Sequence, residues 1–465
     1  MDLLLTHGFF LNEDPKELQI MKPYPPLGLL YLSSYLKSKG YDVEVFDSTF
    51  RSRSELYDRL QSSPPGLLGI YANLMTRSSV IAILQVARQC GWEIVLGGPE
   101  PANYSEEYLA SGADVIVVGE GELTLEELLA RRRHRPKTSL ADVRGVVIRG
   151  AERHPHTTQP RDLIPSLDSL PWPDREAIDI DSYLSSWKSF HGKSSVSLIT
   201  ARGCPYHCRW CSHAVYGKTH RRRSPHSVAD EIEWIRERYN PDMLWIADDV
   251  FTIHPRWIFE FAKEMKDRQL TIPFECITRA DRFNEAIADA MVELECRQLW
   301  IGSESGSQRI LDAMQRDVTV DQIQRAVSLC KERGIHSGLF LMWGYPGEEI
   351  TDIEATIEHV KRANPDRFLT TVAYPIKGTD YFREISPSLP DLKQWQHSSD
   401  RDYAVRGRRS KSYYHYADQW LRDEISLQRL RQQKDVTNLE ELARLQEGIS
   451  EARRGLAETQ AEVGT

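Results

Sequence analysis

Residues 201–213 read ARGCPYHCRWCSH and place Cys204, Cys208 and Cys211 in the spacing C-x3-C-x2-C. Thiolates grouped this closely are a soft donor set, suited to zinc and to iron–sulfur clusters alike. Three of them are one too few for a closed tetrahedral site. Zinc would need His207 or His213 as a fourth ligand, whereas a cubane would keep one iron open to a small molecule. Structural zinc usually has a second knuckle some distance away, and this chain has no second C-x2-C. The other four cysteines, Cys90, Cys276, Cys296 and Cys330, fall in helix or strand patterns and read as small core residues. Seven cysteines, an odd number mostly far apart, fit reduced thiols better than a disulfide framework.

The cysteines follow a short apolar run, SSVSLIT, that opens a series of strand and helix patterns. Its six strands are expected near VSLIT, DMLWIADD, PFECITRA, RQLWIGSES, HSGLFLMWG and RFLTTVAYP, with helices between them. Six βα units predict a partial barrel over 196–385, with its chemistry at the C-terminal mouth. Residues 1–130 carry an earlier series of five short strands, the last three ending in Gly, Asn or acidic residues. They predict a doubly wound, Rossmann-like parallel sheet whose ligands lie at the strand carboxyl ends. Residues 131–195 hold a basic turn (RRRHRPKTS), a hairpin pattern (VRGVVIRGAERHP) and a Pro-rich stretch, and read as a linker with a small excursion. Residues 386–465 become irregular and then helical and highly charged. The fold class is therefore α/β: a doubly wound domain, a partial (β/α)6 barrel and a helical C-terminal region.

With Trp210 as the aromatic of C-x3-C-x-aromatic-C, the cysteine loop resembles the signature of the radical SAM superfamily. That resemblance implies a [4Fe-4S] cluster on Cys204, Cys208 and Cys211. Its open iron would chelate S-adenosylmethionine, which is cleaved to a 5′-deoxyadenosyl radical. It further implies that LWIADDVF (244–251) meets the SAM amino group through Asp248 or Asp249, although the family's usual Gly-Gly-Glu is absent there. Arg279 would face the SAM carboxylate, and Glu304 and Ser305 the ribose. Gly344 would shape the adenine loop with Pro346 and Gly347. Each of these positions also has a plainer reading as a strand-end cap of the next helix. HRRRSP (220–225) reads as a support for the cluster loop or for SAM, or as an exposed loop.

In the first domain, LGGPEP (96–101), VGEGE (118–122) and PYPPLGLLYLSSYL (23–36) resemble the cobalamin-binding domain that precedes this barrel in one large class. The cofactor-facing residues implied are Leu27, Gly28, Gly97, Gly98, Pro99, Gly119, Glu120, Gly121 and Glu122. The glycines alone would be ordinary turn chemistry. No D-x-H-x-x-G motif is present to supply a histidine to the lower face of cobalt. That position is left to water, to no ligand, or to Asn73, Leu74 or Met75, while His7 reads as a strand-end polar residue.

A net charge of −9 in 465 residues excludes a general nucleic-acid binder. No run of about eighteen apolar residues is present, so no membrane span is expected. The start, MDLLLTHGFFLNEDP, does not read as a signal peptide, and the expected location is cytoplasmic. The class resemblance implies a small-molecule substrate and an external one-electron reductant of flavodoxin or ferredoxin type. Two reactions stay open: methylation of an unactivated carbon, or radical oxidation or cyclisation as in the anaerobic magnesium-protoporphyrin monomethyl ester cyclase group. A non-catalytic cobalamin or redox sensor is the alternative of another kind. The tail segment AVRGRRSKSYYHYADQW reads as a basic loop leading into a packed helix, or as a contact across the barrel mouth.

Overall fold

A computed structural model describes residues 1–134, 139–150, 154–390, 394–432 and 439–462. Parts of the basic turn, the hairpin and the tail read from the sequence lie outside these residues. The chain divides into two compact units. One comprises Met1–Pro205, Ser212–Asp249 and Lys393–Asp400; the other comprises Tyr206–Cys211, Val250–Leu392 and Arg401–Thr465.

The first unit is built on a seven-stranded sheet of order β2-β1-β3-β4-β5-β6-β7. Its strands are β1 (Leu3–His7), β2 (Val43–Phe46), β3 (Leu67–Tyr71), β4 (Glu93–Gly97), β5 (Val115–Val117), β6 (Val146–Arg149) and β7 (Pro155–Thr157). β1 to β5 pair in parallel. Helices cover both faces of such a sheet, so its strands are near-continuous apolar runs rather than alternating ones. Leu3, Leu4 and Leu5 are accordingly all buried, in cores on opposite faces of the sheet. The hairpin read as a linker excursion is instead part of the sheet. β6 pairs antiparallel with β5 and β7 with β6, which covers an edge that would otherwise expose unpaired backbone. The same unit holds β8 (Ser195–Leu198), the short pair β9 (Ala201–Arg202) and β10 (Arg221–Arg222), and β11 (Met243–Ile246), which is parallel to β8.

The second unit contains β12 (Phe274–Thr278), β13 (Cys296–Glu304), β14 (His336–Trp343) and β15 (Arg367–Val372), consecutive and parallel. All six strands of the expected barrel series are thus present. The tail forms two packed helices, Lys411–Gln432 and Leu439–Thr459. They approach closely at Gly448 and Gly455, one heptad apart: a Cβ at Gly455 would lie 2.5 Å from the Tyr416 ring. Among the described residues, no helix is long and apolar enough to cross a membrane.

Candidate active site

In the first sheet the chain order reverses between β1 and β3, the place where doubly wound folds open a crevice beyond the strand carboxyl ends. A cavity of about 390 Å³ lies there. Leu5, Ile70, Val95 and Val117 give it apolar surface, and Leu27, Gly28, Gly97, Gly98, Pro99, Gly119, Glu120, Gly121 and Glu122 all line it. The three sequence segments therefore meet around one space. Gly98 is fixed by its backbone: φ is +110°, and a Cβ would fall 2.3 Å from the Ala72 carbonyl oxygen. Gly28 and Gly97 are different, since a Cβ at either would meet nothing within 4 Å. Neither has a positive φ, so neither conformation nor crowding requires glycine there. A bare backbone facing open space is what a bulky, close-fitting ligand needs.

The rest of the wall was not foreseen from the sequence. Tyr71, Arg202, Val215 and Tyr216 line the cavity, whereas Asn73, Leu74 and Met75, the residues considered for the lower face of cobalt, do not. Asn73 instead uses its Oδ1 to accept the N–H groups of Met75 and Thr76. His7, at the end of β1, lies 2.9 Å from Asp47 and reads as a strand-end polar residue. Arg202 spans two carboxylates, reaching Glu120 at 2.7 Å and Glu122 at 2.6 Å, and Arg221 reaches Glu120 at 2.8 Å. Burial works against the charge on Glu120, but Arg221, Arg202 and the Ile164 N–H hold its carboxyl below the usual range. HRRRSP is thus not an exposed loop. Arg221 pairs with Glu120, Arg222 with Asp248 at 3.1 Å, and Arg223 with the buried Glu231.

Asp248 is buried and engaged, accepting from the N–H groups of Thr200 (2.7 Å) and Ala201 (3.0 Å) as well as from the Thr200 hydroxyl. Its carboxyl therefore ties down the strand leading to the cysteine loop. Asp249 keeps surface in contact with solvent, but the protein packed around its carboxyl, and then the neighbouring Asp248 charge, push that carboxyl up. It is the better placed of the two to accept from an ammonium group.

In the second unit Cys208 has two guanidinium groups beside it. Nη1 of Arg279 and Nη1 of Arg316 each lie 3.8 Å from its Sγ. Arg279 also donates to Asp281 (2.9 Å) and to the Arg316 carbonyl (2.8 Å), and sits over the Tyr206 ring at 3.7 Å. Arg316, which sequence reasoning missed, donates to the Gly302 carbonyl at 3.0 Å and faces Glu304 at 3.8 Å. Its only sequence signal is a lone Arg after a helix. Glu304 has φ +62°, unusual for a residue other than glycine. Burial raises its carboxyl against the pull of Arg316 and Arg279. The Ser305 hydroxyl lies 3.2 Å from the hydroxyl of Thr356, in the helix Ile350–Ala363, and accepts the Ser307 N–H at 3.1 Å. Trp210 packs on a cluster that includes Met342 and Tyr345. Gly344 has φ +74° and donates its N–H to Glu348 at 2.6 Å.

None of the three cysteines of the loop is in a disulfide or fully buried. Among the described residues no three His, Cys, Asp or Glu side chains form a group that could hold a metal ion. What fits a cluster is the donor chemistry: three accessible thiols, with two guanidinium groups beside one of them.

Two family models match the chain: the B12 binding domain over residues 19–129 and the Radical SAM superfamily over 198–360. An uncharacterized methyltransferase of Pyrococcus horikoshii is 30% identical over 368 residues, covering 76% of this chain and 77% of that one. The chain belongs to the cobalamin-binding class of the radical SAM superfamily. This radical SAM protein is also 26% identical over 381 residues to the anaerobic magnesium-protoporphyrin IX monomethyl ester cyclase of Rubrivivax gelatinosus, covering 80% of this chain and 68% of that one. Its fold resembles that of the radical S-adenosylmethionine methyltransferase TsrM of Kitasatospora setae, solved with cobalamin and a [4Fe-4S] cluster bound. The TM-score is 0.69 at 19% identity, covering 83% of this chain and 75% of that one. The radical SAM protein is therefore an enzyme rather than a sensor, and its cofactors are a [4Fe-4S] cluster, S-adenosylmethionine and cobalamin.

Proposed function

We propose that this enzyme methylates an unactivated carbon of a small-molecule substrate. In this reading a cobalamin domain spans 1–130 and is extended by the hairpin of β6 and β7, which the stretch 131–195 contributes to its sheet; the barrel spans 196–385 and the helical region 386–465. The enzyme works in the cytoplasm with an external one-electron reductant of flavodoxin or ferredoxin type. Gly28 supports the cobalamin part of the reading, and the similarity to a methyltransferase supports the methyl transfer. Gly28 is the second residue of the helix Leu27–Ser38; its φ is not positive and a Cβ there would meet nothing, so neither conformation nor crowding requires glycine. An occupant of the cavity accounts for its bare backbone.

When bound, SAM on the reduced cluster supplies a carbon-centred radical, and cobalamin supplies the methyl group. The chain's own work is to bind, orient and exclude water. Cys204, Cys208 and Cys211 donate thiolates, and Arg279 and Arg316 offset the negative charge gathered at Cys208. Asp249 accepts from the SAM ammonium, Glu304 takes ribose hydroxyls, and the Gly344 loop takes the adenine. The apolar residues and the bare glycines of the cavity seat cobalamin on a dry surface.

The similarity to the cyclase favours a second reading, radical oxidation or cyclisation without methyl transfer. Counting the products of SAM separates the two. Methyl transfer yields S-adenosylhomocysteine together with 5′-deoxyadenosine in the reduced, cobalamin-loaded enzyme. Oxidation yields 5′-deoxyadenosine alone, an outcome that would overturn the methylation reading.

A further inference from the structure

Arg202 occupies two sites at once. Its guanidinium is part of the cavity wall, where it bridges Glu120 at 2.7 Å and Glu122 at 2.6 Å with all three side chains buried. The rings of Tyr31 and Tyr216 lie 5.2 and 5.5 Å from it, so the charge is enclosed by its partners and by aromatic faces rather than by water. Its backbone, in turn, is the last residue of β9 and stands two positions before Cys204. The residue between them leaves no slack. Gly203 has φ +84°, and a Cβ there would lie 2.4 Å from the Thr219 carbonyl oxygen. A one-residue link packed this tightly transmits a displacement instead of absorbing it.

We propose that Arg202 is a positioning residue that makes the cavity wall and the Cys204 loop one rigid piece, so that cobalamin in the cavity and iron at the cysteines influence each other's binding. The proposal rests on the assignment of the cavity to cobalamin. The bidentate fork is what the coupling needs: Glu120 lies in the loop after β5 and Glu122 opens the helix Glu122–His134, and a planar guanidinium fixes both relative to β9. An ammonium at the same position keeps the charge but loses the geometry. Coupling between two sites is reciprocal, so either ligand reports it.

The test titrates the full-length protein with hydroxocobalamin, followed by visible absorption, before and after reconstitution with iron and sulfide. Wild-type affinity is expected to change by about fivefold or more between the two states. In Arg202→Lys the ratio falls toward one while iron and cobalamin each still bind. The electron paramagnetic resonance signal of the reduced cluster then no longer responds to cobalamin. Glu122→Gln, which keeps the Glu120 link, gives an intermediate ratio and decides the matter if Arg202→Lys does not fold. A wild-type ratio of one, or variants that keep the wild-type ratio, would overturn the coupling alone. Failure of the wild type to bind hydroxocobalamin at all would overturn the cavity assignment and this proposal with it.

Discussion

Glu348 follows the Gly344 turn with Oε2 accepting the Gly344 N–H at 2.6 Å and Oε1 buried without a hydrogen-bond partner among the described residues. Burial, with a smaller contribution from Asp352, pushes its carboxyl up to about 8. The neutral acid is therefore the folded-state form at neutral pH. Since the folded value lies above the unfolded one, the stability it contributes is complete in acid and is lost as pH rises toward 8. The melting temperature of wild type should thus fall relative to that of Glu348→Gln between about pH 5 and pH 8. Parallel curves in pH-dependent thermal melts would show that Glu348 is ionised throughout. At this scale the sequence reveals residues that are close in the chain, such as the three cysteines and the VGEGE loop. It hides Arg202 and Arg316, whose partners lie 80 and 14 residues away.

At the scale of elements, the glycines fall into two physical kinds that sequence alone does not separate. Gly98 is required by its own backbone and by the Ala72 carbonyl, so Gly98→Ala should cost roughly 1–3 kcal/mol of stability. Gly28 has room for a Cβ in a helix, so Gly28→Ala should leave the fold as stable or slightly more so, yet weaken cobalamin uptake. Denaturant melts and cobalamin titration of the two variants check this, and unchanged uptake in Gly28→Ala would show that nothing large approaches that helix. The strands were legible because parallel strands covered on both faces are unbroken apolar runs. The hairpin's place on the sheet was not, since an antiparallel edge strand looks the same in sequence whether it pairs or stands alone.

Across the whole molecule, the chain leaves the first unit and returns to it. After the barrel series, residues 394–400 rejoin the N-terminal sheet, where Asp400 lies 2.7 Å from the buried Arg77 and accepts from the Tyr104 hydroxyl at 2.6 Å. Arg77 also donates to Glu100 and to the Ser398 carbonyl, and Trp395 packs edge-on against Tyr108. Removing one partner of a buried pair strands the other charge. Asp400→Ala should therefore destabilise the protein by about 3 kcal/mol, somewhat relieved by the remaining Glu100. Urea unfolding checks this, and a loss within experimental error would mean that the segment is not held by that pair. Composition, apolar periodicity and the cysteine spacing determined the class of fold, the cysteine loop and the glycine segments, because each is written in residues adjacent in the chain. Tertiary structure decided which glycines face open space, which arginines stand at Cys208 and which carboxylates are already engaged, as Asp248 is. Those choices depend on contacts between distant segments, whose register and distance no local pattern encodes.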